Sequence, residues 1–87
     1  MELAASLVER LGGAANITLV EPCAKRIRAE IANPALIDVP GLKALGAYGV
    51  VISGWVVQIV IGADTNQLVD HIKMMMIPQS AESAFAA

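Results

Sequence analysis

The sequence predicts an α+β fold of order αββαββα, a four-stranded antiparallel sheet with three helices packed on one face. Three observations predict it: two pairs of β-prone runs that each close through a turn, apolar stripes at helical spacing at both ends, and a short capped helix between the pairs. Helices and hairpins each have one apolar side to bury, so one layer of helices on one sheet face serves both and leaves the other face open.

Each element has its own signal. Leu3, Ala4, Leu7, Val8 and Leu11 recur at helical spacing with Glu2, Ser6, Glu9 and Arg10 opposite them, and Gly12-Gly13 stops the pattern. From Asn16 the run "NITLVE" is β-prone and is expected to end at Pro22, which cannot donate a ladder hydrogen bond, so that Cys23 falls in the connection that follows. "RIRAEIA" alternates: Arg26, Arg28 and Glu30 face water, and Ile27, Ala29 and Ile31 face the core. "NPALID" reads as a loop leading to Asp38, the N-cap of a short helix over "VPGLKAL" with Pro40 in its first turn and Gly46 past its end. "YGVVIS" and "VVQIVIG" are two β-branched strands joined across Gly54-Trp55. Asp64 with Gln67 resembles a capping box for a last helix whose stripe is Leu68, Val69, Ile72, Met75 and Met76 and which Pro78 ends. The chain is thus expected to form one domain over residues 1–78, with 79–87 a disordered tail or linker.

Composition narrows the function. Hydrophobic residues make up 56% but aromatic ones only 3%, so the core is expected to be aliphatic. No apolar run approaches the roughly 18 residues of a membrane-spanning helix, and "MELAASLVERLGG" lacks the basic flank of a secretory signal, so direct membrane insertion is not expected and the cytoplasm is the expected compartment. A net charge of −2 is not the broad basic footprint of a nucleic-acid binder. The positive charge is local instead: Lys25, Arg26 and Arg28, three of the six basic residues, lie within five positions of Cys23, the only cysteine.

A lone cysteine is most often a small buried hydrophobe. Here Pro22 places it near a turn among three cations, a setting that favours a thiolate or something more negative still. Metal binding is disfavoured, since there is no second cysteine and His71 is the only imidazole; neither metal nor cofactor is expected. The tyrosine-phosphatase loop requires an arginine six positions after its cysteine, where this chain has Ala29. What remains is a thiol that accepts a phosphoryl group and passes it on, its charge met by turn amides and by Arg26 and Arg28, which two apart on one strand can reach past the turn side by side. Such transfer depends on alignment and charge compensation, so it needs no triad.

"GGAANITLVEPCAKRIRAEIANPALIDVPGLKALGAYGVVISGWVVQIVIG" resembles the IIB domain of the bacterial phosphoenolpyruvate-dependent sugar phosphotransferase system, in its glucose and N-acetylglucosamine branch. The likeness runs from residue 12 to about 72, carried by Gly-Gly-x-x-Asn-Ile, the cysteine followed by x-x-Arg-aliphatic-Arg, Leu-Lys-x-x-Gly, Gly-Val-Val and Val-Gln-Ile-Val-Ile-Gly. It implies the same fold, Cys23 as the phosphorylated residue, a IIA phosphohistidine protein as donor, and a sugar held by a membrane-embedded IIC permease as acceptor. It further implies that Arg26 and Arg28 serve delivery to sugar, that Gln58 lies near the cysteine loop, and that the chain works at the inner face of the membrane through IIC. Ala24, Lys25 and Gln58 complete the expected phosphate-binding set.

Where the family usually has Asp-Ala before the cysteine and Thr two after it, this chain has Glu21-Pro22 and Lys25. These departures keep alive a competing class, an interaction domain that retains the scaffold without transfer; a thiol redox sensor is a third. Trp55 and Val56 replace a turn that is commonly small and polar. Taken without the resemblance, Gln58 reads as a strand residue that limits edge aggregation. His71 and Lys43 read as solvated, and Met74 to Met76 as core filler with one exposed member.

Overall fold

The computed structural model of the chain describes residues 2–62 and 64–76. Pro78 and the expected tail 79–87 lie outside the described residues. The elements are α1 (Glu2–Arg10), β1 (Ile17–Cys23), β2 (Arg26–Ile31), α2 (Val39–Ala44), β3 (Gly49–Ser53), β4 (Val56–Val60) and α3 (Thr65–Met76), with single 3-10 turns at Ala14–Asn16 and Pro34–Leu36. This is the expected αββαββα order.

All three strand pairings are antiparallel and the spatial order is β1-β2-β4-β3. The two hairpins therefore join through β2 and β4, with β1 and β3 at the edges. Val20, Ile27, Ala29, Val57 and Ile59 of the inner face are buried with Ala4, Leu7 and Val8 of α1, Leu42 of α2, and Leu68, Val69 and Ile72 of α3. Each large aliphatic side chain so buried contributes about 1.5–3 kcal/mol. Met75 and Met76 pack against this core and Met74 is exposed. His71 is half-buried on α3, in the helix layer.

The helix ends follow their residues. Past α1, Gly12 N–H donates to Glu9 O (3.1 Å) and Gly13 N–H to Val8 O (2.9 Å), the paired bonds of a Schellman stop, with Gly12 at φ 100. The same pair closes α2, from Gly46 N to Lys43 O (3.0 Å) and Ala47 N to Leu42 O (3.3 Å). Asp38 caps α2 as expected, accepting from Gly41 N at 3.0 Å, and also pairs with Arg10 at 3.2 Å. Asn16, expected at the start of a strand, ends the 3-10 turn before it. Its buried side chain donates to Leu11 O (2.7 Å) and Asn33 O (3.1 Å) and accepts from Asn33 N (2.9 Å), tying the end of α1 to the segment after β2. A Cβ at Gly12 would stand 2.6 Å from that amide, which leaves room only for glycine.

Two expectations are corrected. β1 does not stop at Pro22 but runs through it to Cys23, with Pro22 opposite Ile27 and Cys23 opposite Arg26. Cys23 and Arg26 close a two-residue turn, so ladder alternation turns the Pro22 nitrogen away from β2. Because β1 is an edge strand, that side has no neighbour and no donor is missed. "NPALID" is also more than a loop: Asn33 accepts from Ala35 N (3.1 Å) and starts the 3-10 turn Pro34–Leu36.

Candidate functional site

The register fixes which side chains share the open face. The β1–β2 pairing slips between Ile17 and Leu19, so Ile17 and Val20 face the helices while Leu19, Glu21 and Cys23 face out. Opposite them stand Glu30, Arg28 and Arg26 on β2, then Val56, Gln58 and Val60 on β4. Three cross-strand rows result: Leu19, Glu30, Val56; Glu21, Arg28, Gln58; and Cys23, Arg26, Val60. This face and its turn hold all six expected site residues: Cys23, Arg26, Arg28 and Gln58 lie on the strands and Lys25 in the turn beside them. The sixth, Ala24, is the other turn residue.

Cys23 is exposed at the last position of β1. The turn after it, Ala24-Lys25, is held by the opposite end of the sheet sequence: Lys25 O accepts from both Ile61 N and Gly62 N at 3.0 Å. Ala24 takes φ 58, the only non-glycine residue with positive φ among those described. The equivalent residue of the other hairpin, Gly54, has the same φ of 58. In both turns positive φ is confined to the first residue, a position that favours glycine. An L residue held there costs about 1–2 kcal/mol, so the cysteine turn is strained where its counterpart is not.

The arginines do not reach past the turn side by side. The Arg26 guanidinium leans toward β4 and donates to Gln58 Oε1 at 3.1 Å. The Arg28 guanidinium leans toward β1 and along β2, with Nη1 3.0 Å from Glu21 Oε1 and 3.5 Å from Glu30 Oε2. The cause is local chemistry: two carboxylates flank Arg28, while the neighbour of Arg26 is a neutral amide. Neither guanidinium is hydrogen-bonded to the sulfur among the described residues, and Lys25 and Arg26 have no carboxylate partner there. Arg28 is thus charge-compensated, and the free positive charge lies with Lys25 and Arg26 next to the thiol.

Gln58 does not limit an edge, because β4 is an inner strand; it sits between Arg28 and Val51 across the sheet and holds Arg26. Trp55 is 68% exposed but lies at the far end from Cys23, its carbonyl accepting from Ile31 N. The exposed ring at the cysteine end is instead Tyr48, which the sequence reading did not single out and which lies beside Gly62. The turn clamp by Ile61 and Gly62 was also missed; Gly62, at φ 102 after an apolar strand, is the signal that marks it.

Among the described residues the surface carries no pocket, and the Cys23 thiol is exposed. No group of three His, Cys, Asp or Glu side chains is gathered as a metal would require, and no helix is long and apolar enough to cross a membrane, both among the described residues.

No family model matches the chain. A Streptomyces coelicolor protein, the PTS system N-acetylglucosamine-specific EIIB component, is 44% identical over 73 residues, which are 84% of this chain and 95% of that protein. The crystal structure of one domain of the PTS system IIabc component from Clostridium difficile has the same fold, at a TM-score of 0.72 and 22% identity, over 86% of this chain and 79% of that one.

Proposed function

The chain belongs to the EIIB components of the PTS, the sugar phosphotransferase system, and from that premise we propose that it is a phosphocysteine carrier that takes phosphate from a IIA phosphohistidine and gives it to a sugar held by a IIC permease. The N-acetylglucosamine specificity of the Streptomyces relative makes that sugar the proposed acceptor. The observation that carries the reading is the placement of Cys23: exposed, at the end of β1, beside a clamped turn, with Lys25 and Arg26 uncompensated next to it.

In the first step the sulfur of Cys23 forms a bond to phosphorus as the phosphorus–nitrogen bond of the donor breaks. The imidazole nitrogen keeps that electron pair, and the thiol proton leaves to it or to water. In the second, a sugar hydroxyl forms the new oxygen–phosphorus bond, loses its proton to solvent, and the sulfur departs as thiolate. Between the two steps the sulfur bears a group of about −1.5 to −2 charge. The amides of Ala24 and Lys25, the Lys25 ammonium and the Arg26 guanidinium offset it, and Gln58 sets the angle of Arg26. Arg28 adds a second fork, since planar guanidinium pairs well with phosphate oxygens. Because little covalent chemistry is asked of the protein, this alignment and charge compensation suffice.

The test is incubation with the general phosphotransferase components, a IIA protein and labelled phosphoenolpyruvate. Wild type takes label and Cys23→Ser does not. Arg26→Lys and Arg28→Lys take label yet deliver it poorly to N-acetylglucosamine in membranes bearing the permease. Label that persists in Cys23→Ser, or a wild type that stays unlabelled with several IIA donors, removes the proposal and leaves the interaction-domain reading.

A further inference from the structure

We propose that Glu21 is a positioning residue that holds Arg28 in reserve, and that phosphate arriving on Cys23 exchanges the Arg28–Glu21 ion pair for an Arg28–phosphate pair. This rests on the phosphocysteine reading above. Glu21 and Cys23 are two apart on β1 and share the open face, which places them about 7 Å apart along the strand. Arg28 stands directly across from Glu21 and therefore one diagonal from Cys23, a separation of about 7–8 Å that a long side chain spans. The guanidinium that must choose between them is already bonded to Glu21 at 3.0 Å and to Glu30 at 3.5 Å.

These bonds are made to be exchanged. Arg28 is 31% exposed and the two carboxylates 48% and 43%, so water and salt screen the pairs and hold them weakly. A phosphoryl group on Cys23 competes with more charge and more acceptor oxygens than a carboxylate has. It also repels Glu21 from within a Debye length of about 8 Å. Before phosphate arrives, Glu21 and Glu30 mask Arg28, so free anions meet a less positive face; afterwards the same guanidinium is released where the new charge stands.

The experiment combines arginine side-chain NMR with the phosphoryl partition between Cys23 and a labelled IIA donor. In wild type, the Arg28 Nε–Hε signal moves on phosphorylation. In Glu21→Gln it is displaced before phosphate is added, and the partition shifts toward phosphocysteine by about two- to fivefold, since a weak, screened competitor has been removed. Glu21→Asp restores the wild-type partition, and Glu30→Gln, which loses the longer contact, shifts it less than Glu21→Gln. An Arg28 signal unmoved by phosphorylation of wild type, or an unchanged partition in Glu21→Gln, overturns the inference while leaving the carrier function standing. A wild type that accepts no label overturns both.

Discussion

Replacing Ala24 by glycine stabilises this fold by an amount that the backbone sets. Ala24 is held at φ 58 in the turn that follows Cys23, which costs an L residue about 1–2 kcal/mol. Glycine removes that strain but loses more backbone freedom on folding, about 0.5–1 kcal/mol. The net gain is about 0–1.5 kcal/mol, centred on about 0.75 kcal/mol, which is roughly 3–6 °C in Tm for a domain of this size. Gly54 supplies the reciprocal variant, for it has the same φ and nothing within 4 Å of where a Cβ would stand. Gly54→Ala therefore loses about what Ala24→Gly gains, with no steric contribution. The two turns lie at opposite ends of the sheet, so the double variant returns close to wild type. Thermal melting by circular dichroism and urea titration measure all three. A lower Tm for Ala24→Gly, or a higher one for Gly54→Ala, refutes the reasoning from strain.

Other outcomes are equally open to measurement. Asn16→Ala removes the three bonds that join the end of α1 to Asn33, and the urea midpoint falls by the equivalent of about 2–4 kcal/mol as buried backbone groups lose their partners. Gln58→Glu turns the contact to Arg26 into an ion pair and adds a negative charge to the face; labelled-phosphate uptake at Cys23 slows by about tenfold, with stability changed by no more than about 0.5 kcal/mol. Trp55→Ser alters an exposed residue at the end of the sheet away from Cys23, and label uptake stays at the wild-type rate; a slower rate would place the donor's docking surface there.

The fold was legible where periodicity and turn chemistry spoke together. The strict alternation of Arg26 to Ile31 identified β2 and both of its faces, and Asp38 with Gly46 marked both ends of a helix only six residues long. Pro22 misled because its missing donor matters only on a paired side, and which side is paired depends on β1 being an edge, a fact of topology rather than of local sequence. The site was legible in membership, since alternation alone puts Arg26 and Arg28 on the wet face. Its wiring was not. The spacing of two arginines does not say that Glu21 and Glu30 occupy one while Gln58 takes the other, because that choice is made by strands brought across from residues 21 and 58. The role of Asn16 was hidden for the same reason, since its partners at Leu11 and Asn33 meet only after the chain has turned twice.

The proline one residue before the thiol has a use that its ladder position alone does not reveal. A bare sheet border offers a row of donors and acceptors on which another chain can template itself and stay. Pro22 deletes a donor from that row, and the slip near Thr18 bends the rest of it. A second strand therefore finds no regular track beside Cys23. Under the proposed carrier function, a partner therefore meets this end through side chains of the open face rather than by strand addition.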